Sequence, residues 1–214
     1  MVVSDEDGRP VKGARILISR VPEFTVSADS RKLVPVRPQP GSNRSVDTDA
    51  AGVARVDALP PGEYRACVIA GTLGVLDPCI WSGVAKFSVT PGQKTAYPTI
   101  RLQKGGIVQV RLLDPSGLLP KTDSITNPTL IVGVRSPSGG FKGMRAGEVA
   151  TPEGKAYLMT VPAGVPLKLW LFGRTLRLTD ERGSPVDNVG ANIPFSVGLG
   201  ETKTFTFEVG RLTP

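Results

Sequence analysis

Two cysteines and no histidine limit the chemistry open to this chain. Cys67 and Cys79 stand twelve positions apart, and two thiols alone cannot complete a four-ligand zinc site. They fit either a reduced pair of small apolar side chains or a disulfide. The disulfide is the expectation. It would close the segment from Val68 to Pro78, stabilise the fold by roughly 3 kcal/mol in the chain-entropy model, and imply an oxidising compartment. The missing histidine removes the usual general base and the commonest metal ligand. A Ser-His-Asp or Cys-His site is therefore impossible within these residues. Paired carboxylates or a Ser-Lys dyad remain compatible with the composition. The acids, however, stand mostly in turn contexts: Asp5-Glu6-Asp7-Gly8, Asp114-Pro115-Ser116-Gly117 and Asp180-Glu181-Arg182-Gly183. Asp beside Gly in a turn is explained by hydrogen bonds to its own backbone. No enzymatic activity is expected, and no cofactor.

Residues suited to binding are few. In Leu167-Lys168-Leu169-Trp170-Leu171-Phe172 the leucines alternate with Lys168, Trp170 and Phe172. Side chains of a strand alternate between its two faces, so leucines in the core leave Trp170 and Phe172 outside beside Lys168. Such aromatics either pack under another domain or a loop, or offer a platform to a sugar ring or a protein. Trp81 invites the same pair of readings, a plug for its loop or an exposed anchor. Asp5, Asp7, Asp47 and Asp49 are weak calcium candidates, because loop carboxylates can hold that ion but no ligand-spaced loop is present.

The elements that must position these residues are announced by turns. Thr48-Asp49-Ala50-Ala51-Gly52, Leu59-Pro60-Pro61-Gly62 and Gly71 are answered 102 residues later by Thr151-Pro152-Glu153-Gly154, Val161-Pro162-Ala163-Gly164 and Gly173. Gly and Pro set backbone angles that other residues resist, so their fixed spacing marks where strands reverse. Phe195-Ser196-Val197 likewise answers Phe87-Ser88-Val89, at an offset of 108, so the second copy carries about six more residues, placed in 176–193. Strand-formers such as Ile16-Leu17-Ile18 and Phe205-Thr206-Phe207 dominate the apolar runs, and no stretch has helical periodicity. Strands are expected at 14–21, 53–58, 64–70, 84–89, 96–102, 110–113, 129–135, 156–161 and 167–172. A proline-rich stretch from Pro22 to Ser45 is long for a loop, with a short edge strand about Lys32-Leu33-Val34-Pro35-Val36. The spacing predicts an all-β chain of two tandem two-sheet antiparallel β-sandwich domains, 1–104 and 105–214, meeting at Lys104-Gly105-Gly106.

Net charge is +7, from 26 basic and 19 acidic residues. The basic residues are scattered, unlike the concentrated face of a nucleic-acid binder, so no nucleic-acid partner is expected. No apolar run approaches 18 residues, so no membrane insertion is expected either. Met1-Val2-Val3-Ser4-Asp5 lacks the pattern of a signal peptide. The first turn follows almost at once, which suggests a piece of a longer parent chain.

Residues 1–103 resemble the carboxypeptidase regulatory-like domain family, a transthyretin-like branch of the immunoglobulin-like β-sandwiches that also includes the CnaB-type repeats of bacterial surface proteins. The resemblance rests on Asp7-Gly8-Arg9-Pro10-Val11-Lys12-Gly13-Ala14, Thr48-Asp49-Ala50-Ala51-Gly52 and Leu59-Pro60-Pro61-Gly62-Glu63-Tyr64. The second half keeps only the skeleton, with Pro166 at the place of Tyr64. The resemblance implies a non-catalytic module, extracellular, at the cell surface or periplasmic. CnaB relatives form Lys–Asn crosslinks; here Lys12 and Asn43 are available but lie in turn or loop contexts. The expected function is a structural or interaction module of a secreted or cell-surface bacterial protein, with a protein or polysaccharide partner. The alternatives are a carbohydrate-binding module using Trp170, Phe172 or Trp81, and a docking domain for an enzyme or transporter in the same parent chain.

Overall fold

A computed structural model describes residues 1–22, 24–26, 33–35, 41–70, 73–81, 85–92, 97, 99–121, 129–137, 140–186 and 191–212. The chain divides into two compact units, Met1–Gln103 and Lys104–Pro214. Strands are the main regular elements of both, and the fold is an all-β sandwich.

The first unit contains β1 (Val3–Ser4), β2 (Arg15–Arg20), β3 (Phe24–Val26), β4 (Leu33–Pro35), β5 (Asn43–Asp47), β6 (Gly62–Ile69), a one-turn helix α1 (Pro78–Trp81), β7 (Ala85–Val89) and β8 (Ile100–Arg101). One layer is the antiparallel sheet β5-β2-β6-β7. The other is narrower: β1 pairs in parallel with β8 and bridges Val53 from Val2. Ile16, Ile18, Tyr64, Ala66 and Val68 of the first layer meet Val3, Ala54 and Leu102 of the second in one buried cluster. β3 and β4 form a separate hairpin, so the short strand at Leu33–Pro35 pairs there. Residues 23, 27–32 and 36–40 of the proline-rich stretch, and Gly71, lie outside the described residues.

Two turn motifs lock this unit. Thr48 is buried, and its Oγ1 accepts the Ala14 N–H at 3.0 Å while donating to the Val11 carbonyl at 2.6 Å. Backbone bonds Gly13 N–H to Thr48 O and Thr48 N–H to Ala14 O close the same junction. The turn Asp5–Arg9 therefore leads into β2 through a fixed corner. Tyr64, fully buried on β6, donates its hydroxyl to the Pro60 carbonyl at 2.7 Å. Such a bond from a strand tyrosine to backbone a few residues upstream is a recurrent corner of immunoglobulin-type sandwiches.

The second unit contains β9 (Gly106–Leu113), β10 (Leu130–Arg135), β11 (Phe141–Gly143), β12 (Glu148–Thr151), β13 (Gly154–Val161), β14 (Leu167–Gly173), β15 (Leu176–Asp180), β16 (Pro185–Val186), β17 (Ala191–Phe195) and β18 (Thr202–Arg211). Its sheets are β11-β10-β14-β17 and β12-β13-β9-β18-β15-β16. Val132, Val134, Leu167, Leu169 and Leu171 of the smaller sheet are buried, as are Val108, Val110, Leu112, Phe207 and Val209 of the larger. Lys155 is buried with them and reaches Glu148 at 2.6 Å.

The connection order is common to both units. β5-β2-β6-β7 corresponds to β11-β10-β14-β17, and the first strand of each unit pairs in parallel with its last, β1 with β8 and β9 with β18. These two parallel pairs depart from the wholly antiparallel expectation. Local turn signals announce hairpins, whereas parallel neighbours are joined through crossovers that no local signal marks. Two further differences are physical. The strand expected over 53–58 reduces to the bridge at Val53, because Ala58 adopts φ 56° and Pro60 and Pro61 offer no N–H to a ladder. The stretch between the cysteines holds a helical turn as well as a loop. In the second unit, the extra residues of 176–193 supply β15 and β16, and β15 extends the larger sheet by pairing with β18.

Candidate functional site

The face of β11-β10-β14-β17 turned away from the leucine core carries the cluster of residues best suited to recognition. Partnered residues of antiparallel strands share a face. Register places Gly133 opposite Trp170, Arg135 opposite Lys168 and Phe141, Ile131 opposite Phe172, and Asn192 opposite Trp170. Leu167, Leu169 and Leu171 are buried while Lys168 is exposed and Trp170 and Phe172 are half-buried. The alternation expected for this strand is what the structure has.

The aromatic rings form one contiguous group. Trp170 and Phe172 have planes only 8° apart with centroids at 5.9 Å. Phe141 meets the edge of Trp170 at 5.1 Å and is itself 41% exposed. Its position depends on Gly133: a Cβ there would lie 2.2 Å from the Phe141 ring. The Arg135 guanidinium carbon sits 5.2 Å from the centre of the Trp170 ring, within cation–π range. Arg135 Nε is buried without a hydrogen-bond partner. Beside this group runs an open groove of about 760 Å³, lined in part by Arg135, Ser136, Lys168, Asn192, Pro194 and Ser196. No carboxylate lines it among the described residues. The surface therefore offers rings and hydrogen-bond donors with positive charge, a combination that suits a ligand with an apolar face and an acidic or acceptor-rich rim.

Sequence reasoning found Trp170, Phe172 and Lys168 but not Phe141, Arg135 or Asn192. These three lie on other strands, and strand pairing alone brings them to Trp170. Gly133 was the available signal, since a glycine inside a strand often marks close approach by another group.

The disulfide between Cys67 and Cys79 is formed, with Cα atoms 5.0 Å apart. Cys67 shares its face of β6 with Glu63 and Arg65, away from the buried Tyr64, Ala66 and Val68. The bond thus fastens α1 against β6 on the face opposite the core. Asp77 starts the helical turn: its Oδ1 accepts the Cys79 N–H at 2.8 Å and its carbonyl accepts Ile80 and Trp81 N–H groups at 2.9 Å each. Burial pushes the Asp77 carboxyl above the usual carboxylate range, outweighing the two backbone hydrogen bonds that lower it. Trp81 ends α1 half-buried.

The four calcium candidates are individually engaged. Asp5 Oδ1 accepts the N–H groups of Asp7 and Arg9, and Asp49 Oδ1 those of Ala51 and Val53. Asp7 faces Arg9 at 3.4 Å, and Asp47 pairs with Arg15 at 2.9 Å. Among the described residues no three of His, Cys, Asp or Glu gather as a metal site. Lys12 lies in the turn before β2, whereas Asn43 pairs with Ser19 at the far end of β2. The four residue steps of strand from Arg15 to Ser19 separate those ends by roughly 13 Å, so they cannot crosslink in this arrangement. No described helix is long and apolar enough to cross a membrane.

No family model matches the chain, and no curated protein is similar to it. Among solved structures, the Bacillus anthracis TIE protein is 15% identical with a TM-score of 0.35, over 99% of this chain and 33% of that one. A streptococcal ancillary pilin is 16% identical with a TM-score of 0.38, over 96% and 60%. The minor pilin of Streptococcus agalactiae is 11% identical with a TM-score of 0.34, over 97% and 86%. The chain thus spans about a third of the first and three fifths of the second. At such scores these likenesses carry no weight for fold or function.

Proposed function

We propose that this chain is a non-catalytic interaction module of a secreted or cell-surface bacterial protein, made of two tandem β-sandwich domains. Its ligand face is the outer side of β11-β10-β14-β17. The observation that carries this reading is the group of Phe141, Trp170 and Phe172 on an open sheet face, with Arg135 and Lys168 at its rim. The disulfide supports an oxidising location. The bonds made by Thr48, Asp49 and Tyr64 support a carboxypeptidase regulatory-like first domain, since the motif residues act there as folding devices.

The partner is a polysaccharide. Three rings, already partly covered, expose on the order of 200–300 Å², well short of the roughly 800 Å² per partner of a stable protein interface. A pyranose ring needs less, because its apolar C–H face covers a single aromatic. Affinity-gel retardation of the whole chain over a panel of immobilised polysaccharides tests this. Retardation by at least one polymer, lost in Trp170→Ala with the β-sheet spectrum kept, is the expected result. Equal mobility in every gel would overturn it.

A further inference from the structure

We infer that the ligand of this face is an acidic polysaccharide, one whose sugar rings carry carboxylates. The inference rests on the polysaccharide reading above and adds its charge. Three observations carry it. First, the positive groups are built into the platform. Arg135 is held over Trp170 and Lys168 projects beside it on the next strand, in register. Second, the groove that runs from Arg135 and Lys168 toward Pro194 and Ser196 has no acid among the described residues that line it, so a carboxylate placed there meets cations and donors. Third, the Arg135 Nε–H is buried and unpartnered beside that groove. A buried donor without an acceptor is costly, and a ligand oxygen entering the groove is the missing partner.

The chemistry is that of a uronate unit. Its ring carbons pack against the aromatic group at its exposed Phe141 side, while its carboxylate, coplanar with a guanidinium, takes the charge-assisted bonds that arginine makes best. Lys168 adds a point charge to the same rim and a neighbouring uronate along the polymer can use it. The net charge of +7 would draw any polyanion weakly toward the chain, so the distinctive expectation is dependence on these particular residues.

The test is affinity electrophoresis of the whole chain with polygalacturonate, alginate and hyaluronate, against methyl-esterified polygalacturonate as the neutral counterpart. At least one acidic polymer should retard the protein, and the neutral counterpart should not. Trp170→Ala should weaken retardation roughly tenfold or more, as expected of an aromatic anchor. Lys168→Gln should weaken it roughly threefold and flatten its salt dependence. Lys86→Gln, an exposed charge on β7 of the other unit, should leave it unchanged. Should Trp170→Ala fail to fold, Phe141→Ala at its exposed edge gives the same readout. Equal retardation by the esterified polymer overturns the acidic inference and leaves the polysaccharide reading standing. Retardation unaffected by Trp170→Ala and Lys168→Gln marks general attraction to a basic protein and overturns it too. Absence of retardation by every polymer removes both readings and points to a protein partner.

Discussion

The Tyr64 hydroxyl donates to the Pro60 carbonyl at 2.7 Å, four residues back along the chain. The ring is fully buried and stacks against Phe87 at 5.7 Å. One side chain thus fills the core of the first unit and fixes the Pro60-Pro61-Gly62 turn that delivers it there.

Removing only the hydroxyl, by Tyr64→Phe, should destabilise the first unit by about 1 kcal/mol, the net value of one such bond. Tyr64→Ala should cost about 3–5 kcal/mol, because a cavity follows the lost ring. Each unit has one tryptophan, Trp81 and Trp170. Urea unfolding in a Trp170→Phe background, followed by Trp81 fluorescence, measures the first unit alone. A Tyr64→Phe midpoint equal to the parent's would show that the corner bond adds nothing.

The disulfide joins cysteines 12 positions apart. Replacing both cysteines by alanine should lower the stability reported by Trp81 by roughly 3 kcal/mol and leave the Trp170 transition in place. Thiol titration of the unfolded, unreduced protein should find no free sulfhydryl. Two free sulfhydryls would remove both the crosslink and the argument for an oxidising compartment.

Asp77 and Asp47 should titrate in opposite directions. Burial raises the Asp77 carboxyl in the folded protein, so the folded state holds that proton more tightly than the unfolded one. Its contribution to stability is therefore full below the unfolded carboxylate range, about 3.9, and is lost as pH rises through the raised folded value. Asp77→Asn should flatten this part of the stability profile. Asp47 is lowered mainly by its hydrogen bond from Arg15, so its contribution is present above the unfolded range and fades as pH falls through the folded value. The pair is exposed, which keeps that effect small. Carboxyl NMR titration checks both; an Asp77 value below that of Asp47 would contradict the assignment.

How far the sequence could be read depended on how local each determinant was. Thr48, Asp49, Pro60, Gly62 and Tyr64 act over spans of a few residues, or through one corner, and their types already specify the turns they make. The leucine alternation of 167–171 fixed which way Trp170 and Phe172 would point, because a strand has only two faces. The cysteine pair was legible for the same reason, being close along the chain. The strand expected at 53–58 failed on a competing local rule, since a left-handed Ala58 ahead of two prolines ends the ladder.

What the amino-acid order determined by itself was the all-β character, the turns about Asp49–Gly52 and Pro60–Gly62, the crosslink and the side of β14 that faces outward. Tertiary structure alone decided the company those residues keep. Phe141 reaches Trp170 because β11 lies at the edge beside β10, and Arg135 covers the indole because β10 pairs with β14 in one register out of many. The parallel pairing of first and last strands was likewise settled only by the packing of each whole unit. The physical reason is range. Backbone preferences act between neighbours in sequence, whereas a binding face is assembled from segments whose proximity is set by burying the core beneath them.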